Sequence, residues 1–94
     1  MSSYKIAHIR EQGVDLIIAP LESAFGMRSK AEQQAFIAEL QRCAADAGLR
    51  GTVVPMWQEG NSYAFIAPPQ WFPFFKTLGW NNMLSNINKT LHCQ

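Results

Sequence analysis

Eight of this chain's eleven aromatic residues lie between Trp57 and Trp80, in a stretch that also holds Pro68, Pro69 and Pro73. Each aromatic side chain buries roughly 150–250 Å², so this segment must supply much of the core. Its densest part, Gln70-Trp71-Phe72-Pro73-Phe74-Phe75, is apolar at more consecutive positions than one helix face can bury. Some of those rings are therefore expected to meet a partner, a ligand or a second chain.

At 94 residues the chain has the length of one domain, spanning residues 1–94. Apolar residues make up 48% and charged residues 16%, which excludes disorder. The low charged fraction leaves neutral surface that favours association. Net charge is +1, yet all seven acids fall in residues 1–59, and residues 60–94 carry only Lys76, Lys89 and His92 as basic groups. That is far short of the basic stripe needed to neutralise a nucleic-acid backbone. The longest aliphatic run, residues 16–21, is too short to cross a membrane. No leader is legible before the first strand-like residues, so the expectation is a reduced, cytoplasmic protein.

Residues 4–10 alternate loosely and residues 14–19 are β-rich, with Glu11-Gln12-Gly13 as a three-residue hairpin loop ending left-handed. Pro20 is expected to end the second strand. Residues 20–28 read as a loop whose Leu21, Phe25 and Met27 should pack down or touch something. Ser29-Lys30-Ala31-Glu32 has the form of a capping box. The helix it opens runs to about Ala47, with Phe36, Leu40, Ala44 and Ala47 at helical spacing and Ile37 and Cys43 widening the stripe, and Gly48 closes it with Leu49 set back against Ala44.

Residues 51–57 read as a third strand, with Pro55 placing it at an edge or at a bulge. Residues 62–67 read as a fourth, with Tyr63 and Phe65 on one face. Two short helices follow, separated by Gly79, and the last takes its stripe from Met83 or Leu84, Ile87 and Leu91. The order ββα-ββα(α) predicts an α+β domain: a four-stranded, mainly antiparallel sheet with helices packed on one face. It leaves open whether the two hairpins lie side by side or pair across a dimer.

Five residue groups carry possible chemistry. The aromatic-proline block, with Trp57, Trp71, Phe72, Phe74, Phe75 and Trp80, is the candidate interaction surface, because Trp is enriched at interface hot spots, and the equally weighted reading is that it caps the core of a small domain. Ser23, Arg28, Ser29 and Lys30 flank a helix N-terminus that offers amides to an anion, but no glycine-rich phosphate loop accompanies them and solvated charges are favoured. His8 with Asp15 or Glu11 forms a general base only if the hairpin register brings them together; cross-strand surface pairs are favoured. Cys43, His92 and Cys93 lack the paired-cluster spacing of a zinc site, so no metal is expected and Cys43 reads as a small core residue. Tyr63 and Phe65 on an open sheet face, with Lys76 and Lys89, form the weaker nucleic-acid alternative.

The leading expectation is thus a non-enzymatic interaction module, most simply a homodimer, with no catalytic residue, cofactor or metal. The alternatives are a nucleic-acid-associated protein using the sheet aromatics, and a small-molecule site or enzyme near His8.

Overall fold

The computed structural model describes residues 2–93. Strand β1 (Ser2–Glu11) turns back into β2 (Val14–Leu21) through two residues only, Gln12 and Gly13, at φ 51° and 78°. Two left-handed positions match the twist of the flanking strands, so Glu11 pairs with Val14 inside the ladder rather than belonging to a three-residue loop. Strand β2 runs through Pro20, which was expected to end it. The β1 ladder reaches only from Val14 to Ile18, so Pro20 lies beyond it and its missing amide interrupts nothing there.

A short 3-10 turn, Ser23–Met27, buries Phe25 between the rings of Phe36 and Trp57. Met27 points into solvent, 89% exposed. Helix α1 (Lys30–Asp46) then starts on the anticipated capping box: the Glu32 amide donates to Ser29 Oγ at 3.1 Å, and Glu32 Oε1 accepts from the Ser29 amide at 3.2 Å. It ends as the sequence suggests, with Gly48 at φ 76° and the Leu49 amide donating to the Ala44 carbonyl at 2.9 Å.

The helix carries the chain over to β3 (Thr52–Glu59), which pairs with β2 in parallel, Leu16 with Thr52 through Leu21 with Trp57. Strand β4 (Ser62–Phe65) returns antiparallel but covers only Met56–Glu59 of β3. The first half of β3, including Pro55, therefore lies past the end of its neighbour, as a strand proline requires. The Gln41 side chain fills part of that gap. It donates to the Gly51 carbonyl at 2.8 Å and accepts from the Val53 amide at 2.9 Å.

After β4, Pro69 and Pro73 open short helical turns and α2 spans Phe72–Leu78. Gly79, at φ 81° and ψ 150°, separates it from α3 (Trp80–Ser85). The expected helical stripe through Ile87 and Leu91 does not form. Residues Lys89–Cys93 instead make β5, antiparallel to Ser2–Ile6 of β1. Leu91 and Cys93 alternate inward against exposed Thr90 and His92, a period-two pattern that an open β1 edge can pair.

The sheet thus has five strands in the order β4-β3-β2-β1-β5, with three antiparallel pairings and one parallel. Helices cover both faces, which corrects the expectation of four strands with helices on one. Ile6, Ile17 and Val53 pack under Leu40 and Ala44 of α1. Ala7, Leu16, Ile18, Val54 and Met56 pack under Trp71, Phe75 and Met83. Neighbouring residues of β1, β2 and β3 feed opposite cores. In β2 and β3 this reads as a near-continuous apolar run, because the middle of neither face meets water, whereas in β1 only Ile6 and Ala7 are buried.

Candidate functional site

Three of the rings expected to form a contact surface are inside. Phe75 is fully buried and Trp57 and Trp71 are 5% and 7% exposed. They are core residues of this chain, and their contribution to a surface is corrected accordingly. The reason is the second helical layer, which brings Trp71 and Phe75 onto the sheet. Trp57 belongs to the other side, edge-on to Phe25, with its indole N–H donating to Glu59 Oε2 at 3.0 Å.

The other three expected rings reach solvent. Phe72 is 39% exposed, while Phe74 and Trp80 are half-buried. Their inner edges are anchored: Phe72 packs on Phe65 with centroids 5.7 Å apart, and Phe74 on Phe75 at 5.1 Å. Two exposed aliphatics that the sequence reading did not single out for a surface join them, Leu84 on α3 at 40% and Val14 on β2 at 42%. Val14 shares its strand face with Leu16 and Ile18, and so lies on the α2–α3 side of the sheet. It borders a shallow concavity of about 630 Å³ walled by Trp71, Pro73, Phe74 and Thr77.

The two helical layers differ sharply in charge. The 21 residues from 68 to 88, which contain α2 and α3, hold one charged side chain, Lys76. The 17 residues of α1 hold five: Lys30, Glu32, Glu39, Arg42 and Asp46. Arg42 spans Glu39 and Asp46, at 2.7 Å to each, and its guanidinium holds the Glu39 carboxyl below the usual carboxylate range. One side of the molecule is laced with ions and the other is neutral, aromatic and partly uncovered.

Tyr63 and Phe65 do share a sheet face, but that face is roofed. The Tyr63 hydroxyl is shared between the Phe75 and Lys76 carbonyls in the last turn of α2 and accepts the Gly79 amide at 3.2 Å. Phe65 lies between Phe72 and Phe75. Both rings are thus half-buried beneath α2 rather than lying on an open sheet face.

The remaining candidates are dispersed. Ser29 is committed to the capping box, Ser23 is exposed at the start of the 3-10 turn, and Arg28 and Lys30 border an open concavity of about 540 Å³ beside Phe72. His8 pairs with Ile17 in register, and its Nε2 lies 2.8 Å from the Arg50 carbonyl oxygen rather than from a carboxylate. Asp15 faces Arg10 instead, at 3.6 Å. Cys43 and Cys93 are joined in a disulfide, which replaces the expected free core thiol. Among the described residues no three His, Cys, Asp or Glu side chains gather as a metal site would, and no helix is long and apolar enough to cross a membrane. No protein family model, curated protein or solved structure matches the chain.

Proposed function

We propose that this chain is a non-enzymatic interaction module that pairs with a second copy of itself through the outer side of the α2–α3 layer. The carrying observation is the charge asymmetry: one charged residue in the layer that exposes Phe72 and Leu84, against five on α1. A surface this poor in charge can meet its own copy with little juxtaposition of like charges, its basic groups being Lys76 and, beside Phe72, Arg28 and Lys30. Trp71 and Phe75 serve as the rigid floor beneath the contact. Phe72, Pro73, Phe74 and Leu84 make the contact itself, with Trp80 at its margin. Ring faces held in place by packing lose little entropy on association.

Sedimentation velocity across a concentration series tests this. A dimer is expected in the micromolar range. Phe72→Asp, placed at a partly exposed position, is expected to give a folded monomer with an unchanged far-ultraviolet spectrum. A wild-type chain that stays monomeric at high micromolar concentration rejects the reading.

A further inference from the structure

The 3-10 turn between β2 and α1 carries an acid at one end and a base at the other. Glu22 and Arg28 are the residues that flank Ser23–Met27, and both are exposed. The turn is pinned at its middle. The Phe25 amide donates to the Glu22 carbonyl at 3.0 Å, and the Phe25 carbonyl accepts from the Arg28 amide at 3.2 Å and from Gln33 Nε2 at 2.9 Å. Glu22 and Arg28 border a concavity of about 360 Å³ whose wall includes Tyr4, Leu21, Phe25 and Phe36. Ligand sites span roughly 300–1,000 Å³, so this one suits a small molecule. Its aromatic wall is preformed. Phe36 meets both Tyr4 and Phe25 with ring centroids 5.6 Å apart, and Phe25 is backed by Trp57 at 5.2 Å. Glu22 and Arg28 do not neutralise each other: among the described residues neither is in an ion pair. Glu32, whose carboxylate feels the Arg28 charge, is already bonded to the Ser29 amide and hydroxyl.

We propose that this concavity binds a free aromatic amino acid as its zwitterion. Arg28 takes the carboxylate, which its planar fork matches. Glu22 takes the ammonium. The ligand's ring enters among Tyr4, Phe25 and Phe36, edge-on to them as they already pack on one another. A residue inside a peptide carries neither backbone charge and fits only the apolar part. An amine or a carboxylate alone leaves one of the two charged side chains unmatched. Both charges stand in solvent, where screening keeps each contact weak, so the affinity falls in the millimolar range and declines with salt. The site lies on the α1 side of the sheet, where Tyr4 and Phe36 pack on that core, and it does not depend on the proposed dimer surface.

The test titrates the isotopically labelled full chain with phenylalanine, phenethylamine and phenylpropionate, followed by two-dimensional amide spectra. Phenylalanine at millimolar concentration is expected to give saturable shifts at Tyr4, at residues 21–28 and at Phe36, and each truncated analogue is expected to bind several-fold more weakly. Arg28→Gln should erase the preference for phenylalanine over phenethylamine, and Glu22→Gln the preference over phenylpropionate. Both positions are exposed, so the remaining amide peaks should stay in place. Absence of saturable shifts, shifts centred elsewhere on the molecule, equal binding of the three compounds, or preferences that survive both substitutions overturns the proposal.

Discussion

The side chain of Asn88 pairs with the backbone of His8 as a strand residue would. Its Oδ1 accepts the His8 amide at 2.9 Å and its Nδ2 donates to the His8 carbonyl at 2.9 Å. The β5 ladder on β1 ends at Ile6 and Lys89, so the Asn88 carboxamide extends that edge past the last strand pair. The Asn88 backbone amide also donates to the Ile6 carbonyl, at 3.1 Å. This clasp sets where the chain leaves α3 and becomes a strand.

Removing the clasp should loosen that strand. Asn88→Ala is expected to cost about 1 kcal/mol, since the bonds lie near solvent and water partly replaces them. Amide exchange should accelerate in β5 and in Ser2–Ile6, and Asn88→Asp, which keeps the acceptor but loses the donor, should fall between. Exchange in β5 that is unchanged in Asn88→Ala would show that the side chain has no part in holding it.

Gln41 uses the same device on β3, in a less solvated place. Its amide pairs with Gly51 and Val53 where β4 does not reach. Gln41→Ala strands a part-buried donor and acceptor and is expected to destabilise by about 1–3 kcal/mol in urea unfolding. Gln41→Glu should be at least as damaging at neutral pH, because a carboxylate would face the Gly51 carbonyl. Equal stability of wild type and Gln41→Ala would contradict this account.

Tyr63 is expected to matter through its hydroxyl as well as its ring. Tyr63→Phe keeps the ring on the sheet but leaves the last carbonyls of α2 and the Gly79 amide without that partner. A loss of about 1–2 kcal/mol is expected, with the tryptophan fluorescence of the native state retained. A variant as stable as wild type would mean that water serves these groups equally well.

Acid should weaken the start of α1 in a defined direction. The Ser29 amide and hydroxyl both hydrogen-bond the Glu32 carboxylate and hold its pKa below the ordinary carboxylate value. A group whose folded pKa is depressed contributes stability above its unfolded pKa and loses it as pH falls through the folded one. Stability from this box should therefore decline on acidification, starting at the ordinary glutamate range. Glu32→Gln, which keeps an acceptor that does not titrate there, should show a shallower acid slope in thermal melts. Parallel slopes for the two proteins would argue that the carboxylate contributes nothing.

The features legible in the sequence are those fixed within a few residues. Ser29 and Glu32 are three apart, Gly48 and Leu49 follow directly on α1, and Gly13 sits in its turn. Capping and turn geometry depend on such near neighbours, so residue types at those spacings suffice. The α+β class and the first four strands follow from the same local periodicity.

Other features depend on residues far apart in the chain. Ile87 and Leu91 fit a helical stripe as well as Leu91 and Cys93 fit a strand, and the unpaired β1 edge selects the strand. Trp71 and Phe75 look like surplus apolar surface until the helices are laid on the second face of the sheet. Cys43 and Cys93 meet only because α1 and β5 pack on each other, and Gln41 and Asn88 find backbone partners only where neighbouring strands run out. Sequence alone determined the local elements and the apolar excess near the C-terminal side. Tertiary structure decided how much of that excess is core, because burial is a property of what lies across the sheet and not of the residue itself.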